Sequence, residues 1–164
     1  MSEALTIQSH TGPYRAEFDE QALSKLNAGA LNGLHFIIDG RVAELYADAL
    51  DKILAAPSVL LIDAKESNKS LEIMPGYVEH LVARNLRRDH VLVAIGGGII
   101  QDIACFLAST MLRGVDWHFY PTTLLAQADS CIGSKSSINC GAAKNILGTF
   151  TPPRRVTVSV SFLE

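Results

Sequence analysis

Three short apolar runs punctuate the first two thirds of the chain: Leu34-His35-Phe36-Ile37-Ile38, Val59-Leu60-Leu61-Ile62 and His90-Val91-Leu92-Val93-Ala94-Ile95. Each gives way to a polar or glycine-rich stretch, after which apolar residues recur at three- and four-residue steps. That succession predicts strand, turn and helix, three times over. Val42, Leu45, Tyr46, Ala49, Leu50 and Ile53 predict one amphipathic helix after the first run. Val78, Leu81, Val82 and Leu86 predict another after the second, with Pro75 in its first turn, where a missing N–H is no loss. Val115–Tyr120 and Val156–Val160 read as further strands, and Tyr14–Phe18, alternating large and polar residues, as an edge strand before a loosely helical Gln21–Leu26.

Continuously apolar strands alternating with helices imply a mostly parallel sheet with helices on both faces, because each right-handed βαβ crossover lays its helix on one face. The predicted fold is a doubly wound, Rossmann-like α/β domain covering residues 1–164, with no internal repeat beyond the βα alternation. Ligands in such folds sit at the carboxyl ends of the strands. Every chemically loaded loop follows a predicted strand: Asp39-Gly40, Glu66 to Lys69, Gly96-Gly97-Gly98 and Thr122-Thr123.

Composition narrows the partners. With 14 Lys and Arg against 17 Asp and Glu the formal charge is −3, which gives no bias toward nucleic acid. Cys105, Cys131 and Cys140 are odd in number and lack CxxC spacing or a nearby His pair, so reduced thiols in the cytoplasm are expected rather than disulfides or zinc ligands. No leader pattern opens the chain, and no apolar run approaches the roughly 20 residues that span a bilayer. A strand placed so near Glu164 with no closing helix suggests a piece of something longer.

The glycines at 96–98 make a strand–turn–helix geometry in which the backbone can approach a phosphate and the helix amides can face it. Their spacing, GGGxxxD, is not the dinucleotide GxGxxG, and a tight turn explains them equally well. Asp39 could hold ribose hydroxyls or simply start a turn. Asp102, read as lying in the first helical turn, could favour the dipole or meet a ligand. Glu66 and Lys69 read first as a solvated i,i+3 pair, and Arg113 as a complement to a helix C-terminus. Thr122 and Thr123 could donate to phosphate or cap a helix. From Pro121 to Asn145 small residues dominate, a poor filling for a core and a plausible lining for a polar ligand. Within that stretch Asp129 could accept from a hydroxyl, and Lys135, Lys144 and Asn145 could bind an anion. Cys131 and Cys140 read as packing residues. The five histidines are scattered, with no metal role and no nucleophile to activate.

Taken together, GGGxxxD (Gly96 to Asp102), LRG (Leu112 to Gly114), PTTLLAQADS (Pro121 to Ser130), GSK (Gly133 to Lys135), Ile138-Asn139 and KNxxGxF (Lys144 to Phe150) resemble dehydroquinate synthase and its relatives, the sugar phosphate cyclases. Asp39 and ExxK at Glu66 to Lys69 extend the resemblance upstream over nearly the whole chain. The resemblance implies a bound NAD, used and regenerated within one turnover. A sugar phosphate is oxidised, loses phosphate, is reduced again and closes to a carbocycle, in the shikimate pathway for dehydroquinate synthase itself.

It also implies NAD contacts from Asp39, Glu66, Lys69, Gly97, Gly98, Asp102, Thr122 and Thr123. Asp129, Lys135, Lys144 and Asn145 are expected at nicotinamide or substrate, with Arg113 reaching the substrate phosphate in the partner subunit of a homodimer. A divalent metal, zinc or cobalt, is expected only in the full-length enzyme, whose ligands belong to a helical C-terminal domain beyond this stretch, so the chain alone is expected to be inactive. Gly133-Ser134-Lys135, Asn139-Cys140-Gly141 and Gln101 depart from the usual family pattern beside the substrate region. The alternatives are another cyclase with a different sugar phosphate, an iron-dependent polyol dehydrogenase, or a non-catalytic nucleotide-binding module.

Overall fold

The computed structural model describes residues 4–163. A seven-stranded sheet carries the fold, formed by β1 (Ala4–Ser9), β2 (Gly12–Phe18), β3 (Leu34–Asp39), β4 (Val59–Ile62), β5 (Val91–Gly96), β6 (Asp116–Pro121) and β9 (Arg155–Val158) in the order β1-β2-β9-β6-β5-β3-β4. All neighbours are parallel except β1, which is antiparallel to β2 at one edge. The expected doubly wound architecture is therefore present. One layer, α4 (Met74–Ala83) and α5 (Gly98–Thr110), packs on the face lined by Ile37, Leu92, Ala94 and Phe119. The other, α1 (Ala22–Ala28), α2 (Gly40–Leu45) and α3 (Asp51–Leu54), covers Phe36, Ile38, Val93 and Ile95. Alternate side chains of β3 and β5 thus enter opposite cores, which is why both strands read as unbroken apolar runs.

Three sequence expectations change. Tyr14–Phe18 is not at the edge: β1 covers it, and β2 lies inside against β9, with Tyr14 and Ala16 buried. The single helix expected from Val42 to Ile53 is two short ones: α2 ends at Tyr46, which packs against the same core, stacks edge-on against Phe162 and donates its hydroxyl to the Ser161 carbonyl. Its periodic positions still point inward at Val42, Leu50 and Ile53, but Leu45 is exposed.

The third change concerns residues 121–145, expected only as a ligand-lining stretch. They form a single π-helical turn at Ala126–Ser130 and then β7 (Lys135–Cys140), which pairs antiparallel with β8 (Ala143–Phe150) as a separate hairpin. Ala126, Cys131, Ser136, Ile138 and Asn139 are buried there. Small side chains do not preclude a core when backbone lies close, and here β7 packs directly over α5. Cys131 serves as the expected packing residue, while Cys140 is only half-buried.

Candidate functional site

Because β3 to β6 are parallel, the loops that follow them open at one edge of the sheet. From β3 the chain winds outward to β4, and from β5 it winds the other way to β6, so the order of strands reverses between β3 and β5. A crevice at that reversal, outside the carboxyl ends, is where open α/β sheets hold ligands. Asp39 ends β3 on one side of it, and Gly96-Gly97-Gly98 joins β5 to α5 on the other.

The three glycines differ in what they permit. A Cβ on Gly96 would collide with Ile100, and one on Gly97 would lie 2.9 Å from the Thr123 methyl, so these two let the turn fold tightly. At Gly98 a Cβ would meet nothing within 4 Å. Space thus remains open over the first residue of a 13-residue helix, whose leading amides have no intrahelical acceptor. Thr122 N–H donates to the Gly96 carbonyl, and Thr123 Oγ1 accepts from Ala126 N–H, so both threonines buttress this turn and the next segment. Asp39 caps α2 by accepting from Arg41 N–H at 3.0 Å.

Of the pair expected to be solvated, Glu66 is exposed as expected, but Lys69 is buried at a junction of several elements. Lys69, whose side chain is 7% exposed, donates from Nζ to Asp102 Oδ2 at 2.9 Å and to Asn145 Oδ1 at 2.9 Å, with Glu66 Oε1 at 3.6 Å. Asp102 lies in the second turn of α5 rather than the first, so the helix dipole is not its main partner. Its Oδ1 accepts from Ser137 N–H at 3.1 Å. Burial raises the Asp102 carboxyl above the ordinary range, against the pull of Lys69 and the Ser137 amide. Asn139 completes the junction: its Nδ2 donates to Glu66 Oε1 at 2.9 Å and holds that carboxyl below its ordinary range, and its Oδ1 accepts from Asn145 N–H at 2.8 Å. A short parallel bridge at Ser70 and Asn139 fastens the loop after β4 to the hairpin.

Of the residues singled out in the sequence, Glu66, Lys69, Asp102 and Asn145 form this one network, and Lys135 joins Asp102, Ser137 and Asn145 around a cavity of about 320 Å³. Lys144 is exposed on β8, and its charge contributes to the low carboxyl range of Glu66. Asp129 is exposed on the π turn. Arg113 is not brought to this edge: it follows the C-terminal end of α5, about 20 Å from the glycine turn along the helix. There Leu112, Arg113 and Gly114 take successive φ values of 53°, 64° and 113°, a strained presentation of an exposed arginine. Ser137, not singled out in the sequence as a site residue, contributes its backbone amide. Ser137 carries no local signal, since it matters only once β7 lies on α5. Among the described residues no group of three or more His, Cys, Asp or Glu side chains is placed to share a metal ion. No helix among them is long and apolar enough to cross a membrane.

Comparison with known proteins decides the lineage of this arrangement. Residues 59–164 match the family described as 3-dehydroquinate synthase N-terminal. The chain belongs to that family. A 3-dehydroquinate synthase of Enterococcus faecalis is 37% identical over 169 residues, covering 98% of this chain and 47% of its own length. The structure of a 2-deoxy-scyllo-inosose synthase complexed with carbaglucose-6-phosphate, NAD+ and Co2+ superposes with a TM-score of 0.82 at 25% identity, covering 98% of this chain and 46% of that one. ValA, the 2-epi-5-epi-valiolone synthase of Streptomyces hygroscopicus subsp. jinggangensis 5008 with NAD+ and Zn2+ bound, gives 0.77 at 31% identity, with 98% and 46% covered. The chain spans about half the length of these relatives, and the half it spans is an α/β unit of the sugar phosphate cyclase kind.

Proposed function

We propose that this chain is the NAD-binding half of a phosphate-eliminating, carbocycle-forming lyase of the 3-dehydroquinate synthase type, acting on a sugar phosphate of the shikimate pathway. The observation that carries the reading is the open space at Gly98, over the first residue of α5 and beside the β3–β5 strand reversal. Two relatives whose structures include NAD+ share the fold. The residues fit such a cofactor: glycine backbone at 97 and 98 for the pyrophosphate, Asp39 for ribose hydroxyls, and Thr122 and Thr123 to hold the turn. Bound there, NAD supplies a reversible hydride acceptor.

In this reading Lys69, paired with Asp102 and Asn145, keeps a fixed positive charge at the edge of the cofactor site without a mobile side chain, and Glu66 is held ionised beside it. Lys135, Lys144 and Asn145 offer cationic and amide donors to substrate oxygens, and Asp129 accepts from a hydroxyl. Arg113, strained outward at the other end of α5, is assigned to the partner subunit's substrate phosphate in a homodimer. A second half, like that of the relatives, supplies the divalent metal, zinc or cobalt, and the remaining catalytic groups.

The test is Gly98→Ala. Because nothing lies within 4 Å of the new methyl, folding is expected to be undisturbed, with the melting temperature unchanged or slightly raised by the better helix former. NAD binding, followed by titration calorimetry in the complete enzyme, is expected to weaken at least tenfold. Equal NAD affinity in the variant and the unaltered protein would sink the assignment.

A further inference from the structure

The π turn at Ala126–Ser130 is held from two sides. Cys131 N–H reaches back five residues to the Ala126 carbonyl at 2.9 Å, the bond that defines the wide turn. Gln127 Nε2 donates to the Pro121 and Ser159 carbonyls at 3.0 and 2.7 Å and ties the start of the segment to the ends of β6 and β9. Its far end is tied by Gln101, a buried side chain on α5. Gln101 Nε2 donates to the Ser130 carbonyl at 2.6 Å, and Ser130 Oγ donates back to Gln101 Oε1 at 2.8 Å.

A π turn carries one residue more than an α turn, so its collapse to α geometry would rotate a following side chain by about 100°. The last carbonyls of any helix also lack intrahelical donors, and here the Gln101 amide provides one to Ser130. We propose that Gln101 is a positioning residue that locks this turn and thereby sets the direction in which Asp129, the exposed residue just before Ser130, projects at the strand-end edge. The lock itself rests on the hydrogen bonds alone. Its consequence for turnover rests on the reading of this edge as the cofactor and substrate site.

Gln101→Met keeps the length and volume of the side chain and removes both hydrogen bonds. By amide hydrogen exchange, Cys131 N–H is expected to exchange at least tenfold faster in the variant, while the β5 amides at Val93 and Ala94 change less than twofold. Ser130→Ala is expected to accelerate Cys131 exchange in the same sense, and the double variant to show no more than the larger single effect. In the complete enzyme kcat is expected to fall about tenfold in Gln101→Met with NAD affinity within twofold. Unchanged Cys131 exchange overturns the lock. Equal losses in kcat and NAD affinity overturn the positioning role in favour of general loosening. Absence of NAD binding in the unaltered enzyme would count against the cofactor reading, and the exchange contrast would still decide the lock.

Discussion

Lys69 shows how much one side chain can change character between sequence and fold. In the sequence it is a lysine three residues after a glutamate, on a polar loop. In the structure it is a cation with almost no water, satisfied by Asp102 and Asn145 from two other elements. Removing one partner of a buried charge pair leaves the other uncompensated, which typically costs about 3 kcal/mol. Lys69→Ala is therefore expected to lower the unfolding free energy in urea by about that amount, and the Lys69→Ala/Asp102→Ala double variant to lose less than the sum of the two singles. Additive losses in that cycle would mean that the pair is not coupled in solution. Burial nevertheless pushes the Asp102 carboxyl up, outweighing the opposing pull of the Lys69 ammonium and the Ser137 amide.

Among the elements, the β7–β8 hairpin contributes most to the site that periodicity did not foretell. It places Ser137, Asn139 and Asn145 over α5 and the loop after β4, and it turns at Gly141, whose φ of 55° suits glycine. Asn145 itself sits at φ 52°, a conformation asparagine tolerates better than most residues. Within the hairpin Gly148 faces the Ser136 carbonyl so closely that a Cβ there would strike backbone. Gly148→Ala is expected to cost about 1–3 kcal/mol through that overlap. It should also deprotect the Ser137 and Asn145 amides to hydrogen exchange while the β3 and β5 amides stay protected. Undiminished protection of the Ser137 and Asn145 amides in that variant would show that the hairpin accommodates the methyl without opening.

Over the whole molecule, pH should act through histidines that the core keeps neutral. Burial pushes His118 down from 6.5 to about 4, with Arg155 adding to the effect and Asp116 and Glu17 opposing it. Burial also lowers His35, helped by the charges of His90 and His80, and lowers His80, helped by Arg84. In each case the unfolded chain takes up a proton near pH 6.5 that the folded chain refuses, so stability falls as pH drops below 6.5, continuing to about pH 4 for His118. For His118 alone the loss between pH 7.5 and 5 is about 2 kcal/mol, somewhat less where solvent reaches the ring. Urea unfolding at the two pH values is expected to show the decline, and His118→Gln to flatten it. Equal stability at pH 7.5 and 5 would refute this account.

The sheet was legible in the chain because its information is local: a strand buried on both faces must be apolar throughout, and a helix between two such strands must return to the same sheet. β3 and β5, the α5 start at the glycines, and the shared edge of the strand-end loops follow from that constraint, while β9 was legible from alternation. The resemblance in motifs from Gly96 to Phe150 named the family for the same reason, since those motifs are contiguous. Contacts between distant segments had no such local trace. That Lys69 is buried, that Ser137 and Asn139 belong to the site, and that Gln101 clasps Ser130 were decided only when distant segments came to rest on that helix. A polar side chain looks the same in the sequence whether water or another element completes its hydrogen bonds, and only the tertiary structure determines which one does.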